Sequence, residues 1–258
     1  MKEAWDAPGL RVERHGPVTR FVLERPEAMN ALSPGLVRAL NRALDEFATD
    51  LSTRVLIVTG TGRAFCCGAD LKFFAAHQPD SPEVLSFLRE LNRFVDALDD
   101  LDRPVIGVAN GRTMGGGLEI LLTCDIVLAA DHVTITDPHI TIAAIHGAGG
   151  SQRLVRSVGL QRALDLVLTA RSLSAQEAAD WGLVSRVVPA AELDTAAMAL
   201  AEEIAGRDGS VTQGLKRLVR LSTSAGLGHG LAAERVAFVE AARRPRFVQA
   251  MRDFAKRS

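Results

Sequence analysis

The spacing of apolar and polar positions changes partway along the chain. Up to about residue 148, short β-branched runs alternate with stretches of helical period. VTRFVLE (18–24), RVLIVTG (54–60), PVIGVAN (104–110), DIVLAA (125–130) and VTIT (133–136) predict strands, and 34–49 and 82–100 predict helices. Strands this apolar, separated by helices of this length, imply parallel βα units whose sheet is covered on both faces. Beyond 148 the pattern is almost wholly helical, and LVSRVVP (183–189) is the one strand read there. Ser174 is placed to cap a helix, with Glu177 completing a capping box and Gly182 stopping it. Over 211–256 apolar residues such as Leu215, Leu218, Val219, Val236, Phe238 and Phe254 recur at helical spacing among arginines. Helices with so much apolar surface need a partner, either the core or a neighbouring subunit.

Composition narrows the class. With 258 residues, 47% of them hydrophobic, the chain can bury a sizeable core as one large domain or a domain with an appendage. A net charge of −1 argues against a generally basic nucleic-acid protein, and Lys216–Arg217–Arg220 and Arg243–Arg244–Arg246 read as solvated helix faces. Cys66, Cys67 and Cys124 show neither CxxC nor Cys/His ligand spacing, so no disulfide framework or zinc site is expected, and Cys66 and Cys67 read as small buried residues. Residues 1–16 contain no apolar signal region, and no run approaches a membrane span; a soluble, cytoplasmic protein is the expectation.

Candidate chemistry lies at two glycine-containing strand-to-helix junctions. VTGTGRAFCCGADL (58–71) begins like a dinucleotide fingerprint at Gly60 and Gly62, but Phe65 stands where the third glycine is required. GxxxxGK[ST] does not occur, and GAGGS (147–151) is not GxSxG. The second junction, NGRTMGGGLEILLTCD (110–125), places three glycines before an apolar helix that carries Glu119 in its first turn. Amides at helix starts are unpaired and carry positive partial charge, so two that converge can hold a developing oxyanion. The plainer alternatives are that the glycines allow close packing and that Glu119 satisfies its own helix dipole.

ERPEAMNALS (24–33), GRAFCCGADLK (62–72), ANGRTMGGGLEILLTCD (109–125), GAGGSQRLVRSVG (147–159) and LTARSLSAQEAADWGLVSRVVP (168–189) together resemble the crotonase superfamily of enoyl-CoA hydratases and isomerases in order and near-spacing, over roughly residues 10–255. The resemblance implies an α/β fold, a spiral of ββα units over 1–190, followed by a helical region over 191–258 that contributes to trimerisation, commonly as a dimer of trimers. It implies an acyl-CoA thioester whose carbonyl oxygen sits between the backbone N–H groups of Ala69 and Gly116. Arg25, Ala28, Ala69, Asp70, Leu71 and Lys72 match the segments that line coenzyme A, which enters as part of the substrate; no separate cofactor and no metal are implied.

By the same resemblance, Glu119 matches the first of two glutamates that act as general acid and base in hydratases. The second glutamate position is His139, and the proline that precedes GAGG is His146. Imidazole transfers protons near neutral pH, so His139 is a catalytic candidate. A His139/His146 metal pair is not expected, because no third ligand is apparent. The leading expectation is hydration of a trans-2-enoyl-CoA to a 3-hydroxyacyl-CoA. Isomerisation, another enolate reaction such as decarboxylation or C–C cleavage, and acyl-CoA binding without turnover are the alternatives. Residues 71–90 are expected to wall the acyl pocket, with Phe73, Phe74 and Phe87 either lining it or packing together.

Overall fold

A computed structural model describes residues 5–256; residues 1–4, where the N-terminal stretch read for a signal begins, and 257–258, at the end of the expected helical region, lie outside the described residues. The chain forms two compact units, Met1–Gly206 and Arg207–Ser258.

The larger unit runs β1 (Trp5–Ala7), β2 (Leu10–His15), β3 (Val18–Leu23), α1 (Pro34–Thr49), β4 (Val55–Gly60), β5 (Ala64–Cys66), α2 (Leu71–Ala75), α3 (Pro82–Asp99), β6 (Val105–Ala109), β7 (Arg112–Met114), α4 (Gly116–Leu121), β8 (Ile126–Ala130), β9 (Thr134–Thr136), α5 (Gly150–Val158), α6 (Leu160–Thr169), β10 (Ser172–Ser174), α7 (Ala175–Asp180), β11 (Arg186–Val188) and α8 (Leu193–Ala205). The main sheet has the order β1-β2-β3-β4-β6-β8-β11. It is parallel from β3 onward, as the buried apolar strands require, while β1, β2 and β3 pair antiparallel, which the βα pattern did not anticipate. On it packs α8, with Leu193, Ala197, Leu200 and Ala201 buried over β4, β6 and β8. The larger unit includes α8, whose alanine and leucine stripe is buried on the sheet, so this part of the 191–258 helical region packs on the core.

Local signals explain the helix starts. Ser33 and Ser81 accept hydrogen bonds from Leu36 N and Val84 N at the heads of α1 and α3, each followed by proline at the first helical position. Ser174 and Glu177 form the full capping box ahead of α7, and Gly182 follows at φ +84°. The α1–α3 pair is held by buried Leu40, Leu44, Phe47, Leu91, Phe94 and Val95.

A second sheet, β10-β9-β7-β5, fixes the geometry of the site. Here β5, β7 and β9 are adjacent and parallel, with Cys66 opposite Thr113 and Met114 opposite Thr136. The segments that leave them, beginning at residues 67, 115 and 137, therefore start side by side from one edge. The first of these is tied to the loop ahead of α1 by a bridge between Leu32 and Ala69. Asn30, fully buried at φ +56°, completes the tie: its Nδ2 donates to the carbonyls of Thr61, Ala64 and Phe65, and its Oδ1 accepts from Arg25 N at 2.8 Å.

The smaller unit comprises α9 (Gly209–Leu221), α10 (Leu227–Ala242) and α11 (Pro245–Ala255). Asp208 caps α9 and pairs with Arg246, and Phe238 meets Phe247 edge to face at 6.1 Å. None of the residues of these helices is buried; Leu215, Val219, Val236, Phe238 and Phe254 are each more than half exposed.

The Asn30 tie makes a direct prediction. Asn30→Asp replaces the donating amide with a carboxylate facing three carbonyl oxygens, and an unsatisfied buried polar group costs about 1–3 kcal/mol. Urea denaturation should show a loss of at least ~3 kcal/mol, with Asn30→Ala less damaging because it removes the donor without adding a charge.

Candidate active site

The three consecutive glycines before α4 serve three different needs. Gly115 takes φ +50° and ψ −118°, a conformation L side chains rarely adopt. A β-carbon on Gly117 would lie 2.2 Å from the Cys66 carbonyl oxygen, so α4 rests directly on the backbone of β5. Gly116 faces the first junction: its β-carbon would sit 3.4 Å from Gly68 Cα and 3.6 Å from Ala69 N, and one on Gly68, at φ +93°, would sit 3.0 Å from Gly116 N. The Ala69 and Gly116 amides thus share one small space, and among the described residues no backbone carbonyl accepts from either. The packing reading describes Gly117, while Gly116 stands against the first junction rather than against β5.

Glu119 is 3% exposed on α4, and its carboxylate reaches away from its own helix. Oε1 accepts from Ala148 N and Gly150 N, both at 2.9 Å, at the head of α5. The plainer alternative of a carboxylate serving its own helix dipole does not describe it: the amides it meets belong to the head of another helix, and they fix one carboxylate oxygen while leaving Oε2 without a hydrogen-bond donor among the described residues.

Beside Glu119 lies an arrangement that sequence reasoning missed. Asp137, 1% exposed, accepts from both imidazoles: His139 Nδ1 at 2.6 Å from Oδ1, and His146 Nε2 in a short bond to Oδ2. The two rings lie 4.3 Å apart, centroid to centroid. His139 begins a 3-10 turn, His139–Ile142, and its Cε1 is 3.7 Å from where a β-carbon on Gly115 would be, one residue before the Gly116 amide. His146 is nearer Glu119: a β-carbon on Gly150 would meet His146 Cδ2 at 2.4 Å and Glu119 Cγ at 2.9 Å. Asp137 also supplies the third ligand-type atom that the sequence did not reveal; one atom from each of Asp137, His139 and His146 falls within 4.8 Å of the others. The carboxylate two residues ahead of His139 was the available signal.

Electrostatics follow from this packing. Burial works to raise the Asp137 carboxyl, and hydrogen bonds from His139 and His146 outweigh it, holding it below the usual carboxylate range. The hydrogen bond to Asp137 raises His146 above its ordinary 6.5, against desolvation and with help from the charges of Asp137 and Glu119. Burial pushes the Cys66 thiol up to about 12, consistent with an inert core residue.

The residues expected to line coenzyme A are partly gathered. Arg25 pairs with Asp70 at 3.2 Å and donates to the Ala31 carbonyl, so the loop 25–32 and the segment 67–72 are clasped together. Asp70 also caps α2 through Lys72 N, and Leu71 is 57% exposed. Ala28 ends the 3-10 turn Pro26–Ala28, its carbonyl facing the Cys67 thiol. Phe73, Phe74 and Phe87 do two things at once: their rings cluster at 5.4–5.7 Å, and Phe73 and Phe87 line a cavity of about 400 Å³ with Pro34, Arg38, Pro82, Glu83, Ser86 and Glu90. That cavity includes none of Ala69, Gly116, Glu119 or His139.

Comparison with known proteins gives this geometry its context. The family model for enoyl-CoA hydratase/isomerase matches residues 13–258. The chain belongs to the enoyl-CoA hydratase/isomerase family. A probable mitochondrial enoyl-CoA hydratase of Dictyostelium discoideum is 37% identical over 88% of this chain and 80% of its own length. The 2,3-dehydroadipyl-CoA hydratase of Escherichia coli is 38% identical over 89% and 88%. An enoyl-CoA hydratase from Bacillus anthracis, solved at 1.8 Å, superposes with a TM-score of 0.91 at 33% identity, covering 96% of each chain. The crotonase-type α/β fold expected from the motifs is thus the fold observed.

The Asp137–His146 bond makes stability depend on pH in one direction. Because the folded imidazole has the higher pKa, its contribution is complete below about pH 6.5 and is lost as pH rises through the raised value. The stability difference between wild type and His146→Gln, from urea denaturation across the pH range, should therefore be largest in mild acid and shrink into the alkaline range.

Proposed function

We propose that this protein hydrates trans-2-enoyl-CoA thioesters to 3-hydroxyacyl-CoA, with Ala69 and Gly116 as the oxyanion hole and Glu119 and His139 as the acid/base pair. The observation that carries the proposal is the meeting of two unpaired amides with a buried carboxylate that has one fixed and one available oxygen. The names of the relatives from Dictyostelium and Escherichia coli support the same reaction.

The thioester carbonyl oxygen accepts from Ala69 N and Gly116 N, which draws electron density from C3. Glu119 Oε2 takes a proton from water as the water oxygen bonds to C3. The C2–C3 π electrons move into the enolate held by the two amides. His139, held by Asp137, delivers a proton to C2, and water is added across the double bond. Loss of the proton from Glu119 to solvent and gain of one by His139 restore the starting state. Coenzyme A enters and leaves as part of the thioester, with Arg25, Ala28, Ala69, Asp70, Leu71 and Lys72 along its path. Neither metal nor further cofactor takes part in these steps. An imidazole in place of the second glutamate favours, as a second reading, double-bond isomerisation, in which Glu119 and His139 shuttle a proton between C2 and C4 with no water added.

Paired substitutions at Gly116 test the oxyanion assignment. Gly116 is the first residue of α4, where proline fits a helix, so Gly116→Pro removes the N–H, whereas Gly116→Ala keeps it and adds only the β-carbon. Loss of one such donor lowers kcat by about 10²–10³. Crotonyl-CoA hydration, followed by loss of absorbance of the conjugated thioester, should fall by that factor more in the proline variant than in the alanine variant. Equal rates in two folded variants would remove Gly116 N from the site, and formation of a shifted double bond from a 3-enoyl-CoA without hydration would establish the second reading.

We also propose a homotrimer or a dimer of trimers in the cytoplasm, where acyl-CoA thioesters are metabolised. Support comes from α9–α11, which bury none of their residues within their own unit. Among the described residues no helix is long and apolar enough to cross a membrane. Sedimentation velocity should give a trimer or hexamer, and removal of 228–258 should abolish that assembly; an active monomer would refute it.

A further inference from the structure

Two buried carboxylates and two imidazoles share the site. Asp137 and Glu119 are 1% and 3% exposed, and their hydrogen-bond donors among the described residues are imidazole nitrogens and backbone amides, with no lysine or arginine. With neutral imidazoles, the site carries two uncompensated negative charges in a medium of low dielectric, which draws a cation strongly. A proton on an imidazole is one such cation.

We propose that Asp137, His139 and His146 also bind a divalent transition metal of the zinc type, and that metal bound there inhibits the enzyme by occupying its second acid/base. The metal site stands on geometry alone; the inhibition rests on the hydratase reading. One nitrogen of each ring already points at the same carboxylate, so metal binding needs no new side-chain direction: it replaces the N–H protons of two hydrogen bonds with N–metal bonds. Zinc–ligand bonds of about 2.0–2.2 Å place tetrahedral ligand atoms roughly 3.3–3.6 Å apart. The ligand atoms here lie within 4.8 Å of one another, so shifts on the order of 1 Å close the site. Two nitrogens and one oxygen select zinc, cobalt or nickel over magnesium and calcium, which prefer oxygen alone. Three protein ligands leave a coordination position for water, and side-chain exposures of 17% and 10% at His139 and His146 give solvent access on one side. Metal on His139 Nδ1 replaces the proton there, so the ring in the same place is a neutral imidazole whose Nε2–H is a far weaker acid than imidazolium, and the loss of proton return to C2 is the source of inhibition.

The test uses the full-length protein after treatment with EDTA and its removal. Titration with Co²⁺, followed by its visible absorption, and with Zn²⁺ against a chromophoric chelator should show one equivalent bound. Asp137→Asn and His146→Ala should each weaken binding at least tenfold, while His132→Ala, at an exposed imidazole outside the cluster, should leave it unchanged. Circular dichroism establishes which variants fold, and His139→Ala supplies a third should the buried Asp137→Asn fail. Absence of stoichiometric binding, or binding indifferent to all three ligand variants, overturns the site. One equivalent of Zn²⁺ should suppress crotonyl-CoA hydration by wild type, with recovery on adding EDTA; full activity with metal bound overturns the inhibition. A protein that hydrates no enoyl-CoA fails the hydratase reading instead, and the Co²⁺ titration still decides the metal site.

Discussion

The site depends on how closely two backbones approach. Gly68 and Gly116 meet so closely that a β-carbon on Gly68 would lie 3.0 Å from Gly116 N, and that contact brings the Ala69 and Gly116 amides, which have no backbone acceptor among the described residues, into one small space. It is possible because β5, β7 and β9 are neighbours in a small parallel sheet whose exits start in step. The sheet is held in turn by Gly117 against β5 and by the buried amide of Asn30, which fastens the preceding loop to the β4–β5 turn. Each support is polar or steric backbone geometry. The apolar core beneath provides rigidity without fixing where the amides point.

Charge is arranged with the same economy. The α5 amides that hold Glu119 are the unpaired donors of a helix head, and the carboxylate is their cap from outside the helix. Gly149, at φ +86°, and Gly150, hemmed in by Glu119 and His146, make that head narrow enough for the two groups to stand together. Asp137 then orders both imidazoles at once, so the tautomer of each ring is coupled to the same carboxylate.

Much of this was legible in the residues. Long apolar strands, Ser-Pro helix starts, the Ser174–Glu177 box and the two glycine junctions each carry a local signal strong enough to survive folding, and they placed β3, β4, β6, β8, α1, α3 and α7. What was not legible is non-local. Strands of three residues, such as β5, β7 and β10, are too short to show a period, although they align the site. Assigning α8 to the core required knowing which sheet its alanines meet. The join of Asp137 to two histidines was hidden because His146 returns through a left-handed turn at Ala143, φ +55°, that no residue type announces. Ala148 and Gly150 as partners of Glu119 lie 29 and 31 positions away in sequence, beyond any pattern.

The fixed oxygen of Glu119 carries a stereochemical consequence. A carboxylate free to rotate presents two equivalent oxygens and can serve either side of a planar substrate. Here one oxygen is clamped by two amides, so the carboxylate plane is set and a single oxygen remains to approach the acyl chain. In the proposed reaction, with the thioester held through its carbonyl by the Ala69 and Gly116 amides, the enoyl plane turns one side to that oxygen. By that reading an amide clamp far smaller than the substrate distinguishes the two faces of a flat, achiral alkene, and the new carbinol carbon takes one configuration.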